Sequence, residues 1–156
     1  MANTLDNTDR AILALLQKDA TLSVNEIGEQ VNLSSTPCWR RIQRLEREGY
    51  IQRRVALLAP EKLNVGVTVF VAIKTNQHND KWFQKFADVV STIPQIVEFY
   101  RMSGDNDYLL RVVVPDIKAY DAVYQRMIRE IELFDVSSSF AMEQIKYTTA
   151  LPLDYA

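Results

Sequence analysis

The spacing of apolar residues changes character about a third of the way along the chain. Before residue 50 they recur at helical intervals. Ile12, Leu13, Leu15 and Leu16 follow Asp6, a residue type that caps helix starts, and predict a helix near 7–18. Ser23-Val24-Asn25-Glu26 has the serine and glutamate of a capping box, opening a short helix near 24–31 with Ile27 and Val31 inward. Asn32-Leu33-Ser34-Ser35 reads as a turn. Ser34 or Ser35 caps a third helix, Pro37 falls in its first turn where a missing N–H costs nothing, and Gly49 follows its end at Glu48. A tight turn between the second and third helices is the helix-turn-helix pattern. Tyr50–Leu58 reads as short extended pieces stopped by Pro60.

Beyond residue 60 strands and helices alternate. Val65–Ile73 is a continuous β-branched run, and Phe83, Phe86, Ala87, Val90 and Ile93 form a helical stripe. Ile96–Met102 and Tyr108–Val114 are strands separated by the turn residues Ser103-Gly104-Asp105-Asn106-Asp107. Ile117, Tyr120, Tyr124, Met127, Ile128 and Ile131 form a second stripe, and a last strand runs from Val136 to about Tyr147. The order β-α-β-β-α-β is the ferredoxin-like arrangement, with both helices on one sheet face. The expected class is therefore α+β. A helix-turn-helix, winged-helix-like unit occupies 1–60, and a ferredoxin-like unit occupies 61–156. The first strand is apolar on both faces, with Phe70 and Ala72 on the side the helices leave open. A second copy of the chain is the simplest cover, so a homodimer is expected.

Composition narrows the chemistry. Of 156 residues, 47% are hydrophobic and 24% charged, which is ordinary for a globular protein. No apolar run reaches the roughly 20 residues of a membrane span. The start, Met1-Ala-Asn-Thr-Leu-Asp6, lacks the basic and apolar regions of a secretory signal, and a cytoplasmic location is expected. One cysteine, Cys38, permits no intrachain disulfide and sits on an apolar stripe as a small core residue. One histidine, His78, lies in the polar stretch Asn76–Asp80, a loop or helix start, and reads as solvated. A structural zinc site needs four ligands of these two types, so no metal is expected. The four glycines are scattered, so no phosphate-cradling loop exists. No catalytic constellation or cofactor motif is present, and the chain reads as a non-enzyme.

The formal charge is −2, yet residues 34–54 carry six arginines against two glutamates. At about 100° per residue, Cys38, Ile42 and Leu45 fall within about 60° of one another. Thr36, Gln43, Arg47, Arg40 and Arg44 lie about 140–240° away from that stripe. A face of one hydroxyl, one amide and several guanidinium forks suits base edges and phosphates in a major groove. The candidate DNA interface is therefore Thr36, Arg40, Gln43, Arg44 and Arg47. Ser35 and Arg41 join it from the same helix, and Arg53 and Arg54 are expected against flanking phosphates. Trp39 borders this face and is expected to pack. The rival reading is a ferredoxin-like metabolite sensor that acts through a protein partner without DNA.

The chain closely resembles the Lrp/AsnC, or feast/famine, regulators. Leu5-Asp6-Asn7-Thr8-Asp9, Leu33-Ser34-Ser35-Thr36-Pro37-Cys38-Trp39-Arg40-Arg41, Leu45-Glu46-Arg47-Glu48-Gly49-Tyr50-Ile51 and Ser103-Gly104-Asp105-Asn106-Asp107-Tyr108-Leu109-Leu110 carry the resemblance. It implies a regulator that binds double-stranded DNA specifically and answers to a small amino acid, sulfur-containing or branched apolar. It also implies dimers that assemble to octamers, with the effector held between dimers. The matching effector residues are Gly104, Asp105, Asn106, Asp107 and Tyr108, with Ser138 and Phe140 from the last strand. For a zwitterion, Asp107 is the natural acceptor of the ammonium, and turn N–H groups and a serine hydroxyl are natural donors to the carboxylate.

Overall fold

The computed structural model describes residues 5–77 and 79–156, so the reading of His78 lies outside the described residues. The chain forms two compact units. Among the described residues, one comprises 5–57 and 146–156, the other residues 58–145.

The first unit is built from α1 (Asn7–Lys18), α2 (Val24–Gln30) and α3 (Ser35–Arg47). Asp6 caps α1, accepting the Asp9 N–H at 2.7 Å while the Asp9 carboxylate accepts the Asp6 N–H at 3.2 Å. Ser23 and Glu26 form the expected reciprocal box on α2. Ser34 is the N-cap of α3 but makes no side-chain cap bond, contrary to the expected serine cap. The Ser35 hydroxyl instead donates to Asn25 Oδ1 at 2.5 Å, tying α3 to α2. Ile12, Leu13, Leu16, Ile27, Cys38, Ile42 and Leu45 form the buried core. Gly28 lies where α2 meets the turn, and a Cβ there would sit 2.6 Å from the Leu33 carbonyl oxygen. Gly49, at φ +81°, ends α3 in the left-handed region that glycine adopts most readily.

Residues 146–156 pack on this first unit, which corrects the expectation that everything after 60 is one domain. Gln17 bonds Leu151 both ways, donating to its carbonyl at 2.9 Å and accepting from its N–H at 3.0 Å. Arg10 Nε donates to the Ala156 carbonyl at 2.9 Å, and Leu153 packs against the helical core.

The second unit is an antiparallel sheet of β1 (Val67–Lys74), β2 (Ile96–Arg101), β3 (Tyr108–Val114) and β4 (Asp135–Phe140), in the order β2-β3-β1-β4. Helices α4 (Asp80–Ser91) and α5 (Ile117–Glu130) pack against it, giving the expected βαββαβ fold. Val69, Val71, Ile73, Leu110, Val112 and Val114 form the buried face of the sheet. The aromatic cluster of Trp82, Phe86, Phe99 and Tyr108 fills one part of this core. The other face carries Phe70, Leu109 and Tyr100, with Phe70 39% and Tyr100 50% exposed. The last strand is shorter than expected and stops at Phe140. Its partner β1 starts at Val67, so beyond the Ala141 N–H bond to Thr68 O no ladder remains to pair with.

Candidate nucleic-acid interface and effector site

The amphipathic helix α3 buries Cys38, Ile42 and Leu45 and thereby fixes which side chains face outward. Thr36, Arg40, Gln43 and Arg47 are exposed. Arg40, Arg47 and Arg53 have no ion pair among the described residues. Gln43 donates to Glu46 at 3.0 Å, and Arg54 pairs with the other oxygen of Glu46 at 3.0 Å. Both bonds are solvent-facing and cost little to exchange for a phosphate or base contact. Trp39 is 52% exposed rather than packed, which corrects the expectation for it and extends the apolar edge of the same face.

Arg41 and Arg44 do not belong to that face. Arg41 Nη1 lies 2.6 Å from Asp6 and 2.8 Å from Asp9, and Arg44 Nη2 lies 2.5 Å from Asp9. Asp9 is only 1% exposed. An ionised carboxylate at that depth requires charged or hydrogen-bonding partners, and these two guanidiniums supply them. The placement of both arginines among the DNA contacts is therefore corrected, because Arg41 Nη1 and Arg44 Nη2 are held by aspartates within the unit. Sequence reasoning misses Asp9, although a signal exists. Asp9, Ile12, Leu13 and Leu16 share one helical stripe, and a carboxylate on an apolar stripe demands a cation from elsewhere. The Asp9 N–H bond and then Arg41 hold the Asp6 carboxyl below the usual aspartate range, and Asp6 and Asp9 in turn raise Arg41.

In the second unit, the turn between β2 and β3 is set by Gly104 at φ +111°, where a Cβ would have no neighbour within 4 Å. Asp107 closes it. Its N–H donates to Ile73 O at 2.9 Å, its carbonyl accepts from Met102 N at 2.8 Å, and its carboxylate accepts from Thr75 N at 2.8 Å. One carboxylate oxygen is thus in structural use, and the other makes no hydrogen bond among the described residues. Asp105 is exposed and Asn106 half-buried. Tyr108 is 7% exposed with its ring in the aromatic cluster, so its side chain does not line the turn. Ser138 and Phe140 sit on the helix-facing side of β4. There the Ser138 hydroxyl meets the Tyr120 hydroxyl and the Phe140 ring stands edge-on to Tyr120. Phe140 is level with Val69, whereas the turn adjoins Ile73 and leads into β3, two strands from β4. At about 4.8 Å between strands and about 3.3 Å per residue, Phe140 and the turn are roughly 15 Å apart. Ser138, level with Val71, lies roughly 12 Å from the turn by the same spacings.

The fold and these two surfaces define a helix-turn-helix regulator of transcription joined to a ligand-binding domain. Residues 5–52 match the winged helix-turn-helix DNA-binding family and residues 68–151 the Lrp/AsnC ligand binding domain. The chain belongs to the Lrp/AsnC family. It is 52% identical over 151 residues to the DNA-binding transcriptional activator DecR of Escherichia coli K12, covering 96% of this chain and 99% of the relative. An AsnC family transcriptional regulator from Agrobacterium tumefaciens is 64% identical with TM-score 0.94, over 97% of this chain and 99% of that one. A Neisseria meningitidis transcriptional regulator solved as an L-Met complex is 35% identical with TM-score 0.92, over 97% and 99%.

Proposed function

We propose that α3 reads DNA through Thr36, Arg40, Gln43 and Arg47, with Ser35 at its start and Arg53 and Arg54 on flanking phosphates. The observation that carries this reading is the sorting of the α3 arginines. Arg40 and Arg47 stand exposed without an ion pair among the described residues, while Arg41 and Arg44 are tied to aspartates of α1 and its cap. The protein acts in the cytoplasm, where DNA is accessible. Its effector is a small amino acid, sulfur-containing or branched apolar. The L-Met complex of the Neisseria relative supports the sulfur-containing choice.

The effector sits at the Gly104–Asp107 turn of one copy, with Ser138 and Phe140 supplied by another. The separation of roughly 12 Å for Ser138 and roughly 15 Å for Phe140 from the turn within one chain supports a shared site. Homodimers form through the sheet face bearing Phe70 and Tyr100, and dimers assemble further to an octamer. A dimer also supplies the two half-sites that helix-turn-helix proteins read one helical turn apart. The test is a thermal-shift screen of the twenty amino acids followed by footprinting on duplex DNA. A bound effector at ~100 times its Kd adds ~2.7 kcal/mol and raises Tm. Absence of any shift, or of any protected sequence, would remove the corresponding half of the reading.

A further inference from the structure

Asp9 takes no part in the DNA contacts proposed above, yet it is a charged group almost wholly removed from water. Its two oxygens divide between the guanidiniums of Arg41, at 2.8 Å, and Arg44, at 2.5 Å. The two arginines differ in what else holds them. Arg41 also reaches Asp6 at 2.6 Å. Among the described residues Arg44 has only Glu48 at 4.0 Å besides Asp9, and its Nε is buried without a hydrogen bond. Removing the Asp9 charge therefore releases Arg44 and leaves Arg41 anchored.

We infer that Asp9 is a specificity-positioning residue of the DNA-reading helix. It withdraws Arg44 from the phosphates and fixes the roll of α3 against α1, so that of the α3 arginines only Arg40 and Arg47, beside Thr36 and Gln43, address the groove. This rests on the reading of α3 given above. The physical reason is the division between phosphate and base contacts. An arginine on a phosphate adds affinity for every sequence equally, whereas discrimination comes from groups on base edges. A recognition helix with all its arginines free would bind any duplex. Pairing some of them with buried carboxylates lowers the sequence-independent part and leaves the selective part. An i,i+3 pair from α3 to one buried residue of α1 also sets rotation about the α3 axis. Two tethers at Arg41 and Arg44 resist a roll that one would permit.

The test compares the salt dependence of binding for the wild-type chain, Asp9→Asn, Arg44→Gln and the double variant. The probes are random-sequence duplex and the best duplex enriched from a randomised pool. Each additional phosphate that a cation neutralises steepens the slope of log K against log salt by about 0.9. Asp9→Asn is expected to steepen the slope by about that amount on random DNA and to lower the preference for the enriched duplex about tenfold. The double variant, which lacks the released cation, is expected to return to the wild-type slope. A purely structural role for Asp9 would weaken binding without steepening the slope. A folded Asp9→Asn protein with an unchanged slope overturns the inference. If Asp9→Asn does not fold, Arg44→Gln alone decides. An unchanged slope supports the inference, and a slope shallower by about 0.9 overturns it by placing Arg44 on a phosphate. A wild-type chain without salt-dependent binding to either duplex would instead overturn the DNA reading of α3 on which the inference rests.

Discussion

Gly28→Ala sets two effects against each other at the turn of the helix-turn-helix. Alanine favours a helix interior over glycine by about 1 kcal/mol, so propensity alone predicts a more stable α2. The new Cβ, however, would stand 2.6 Å from the Leu33 carbonyl oxygen, where real contacts do not fall under 3.0 Å. That oxygen is backbone and cannot swing aside like a side chain. Leu33 N also donates to Gly28 O at 2.8 Å, so moving the carbonyl pulls on the bond that closes the turn. Overpacking of this kind costs about 1–3 kcal/mol. Subtracting the propensity gain leaves a net loss of up to about 2 kcal/mol, and an approach of 2.6 Å to an immobile backbone oxygen places the cost toward the upper end of that range. In a unit of this size each kcal/mol lowers Tm by about 4–8 °C. Scanning calorimetry of the full chain measures the shift, and DNA titration shows whether the start of α3 moves with the turn. An unchanged or higher Tm would refute the reasoning, since it would mean the turn relaxes at no cost. Gly49→Ala is the control, because its strain comes from φ +81° with no neighbour within 4 Å.

Arg40→Ala should reduce binding to the preferred duplex by about 1–3 kcal/mol more than binding to random DNA, and an equal loss on both would make Arg40 a phosphate contact. Asp107→Ala should cut amino-acid affinity about 10- to 150-fold in calorimetry, because a charge-assisted bond contributes about 1.5–3 kcal/mol. It should also lower Tm through the lost bond to Thr75 N, and unchanged ligand affinity in a folded variant would leave Asp107 as a turn residue only. Acid should destabilise both units. The Asp9 N–H and Arg41 hold Asp6 below its ordinary value, and Arg111 does the same for Glu98. Depressed carboxylates contribute stability that is present above their unfolded values and is lost as pH falls through the folded ones. Asp6→Asn and Glu98→Gln should each flatten the fall of Tm with acid, and an unaltered profile would contradict the pairing.

Much of this architecture is legible in the chain because its signals are local. Capping residues at Asp6 and Ser23, the stripe of Cys38, Ile42 and Leu45, and the turn residues 103–107 each act within a few positions of themselves. What escapes depends on distant partners. The inward pull on Arg41 and Arg44 comes from Asp6 and Asp9, more than thirty positions away, and a helical wheel of α3 alone assigns Arg44 to the outer face. The return of residues 146–156 to the first unit follows from Gln17 and Arg10, which no periodicity announces. The last strand reads too long from sequence because its strand-compatible pattern continues past the point where β1 ceases to offer hydrogen bonds. Motif position alone puts Tyr108 at the ligand, whereas strand alternation puts its ring among Trp82, Phe86 and Phe99.

The central claim is that one chain couples sequence-specific DNA binding to an amino-acid signal, and one titration addresses both halves. The full-length protein is titrated onto its enriched duplex and onto random duplex, without amino acid and with each amino acid that raises Tm. Effector action requires different affinities for two protein states, so the account predicts preferential binding to the enriched duplex and a shift of that binding by at least one amino acid. A shift of about 5- to 150-fold corresponds to an ordinary coupling of about 1–3 kcal/mol. Equal affinity for both duplexes, or a binding curve that no amino acid moves, would contradict it.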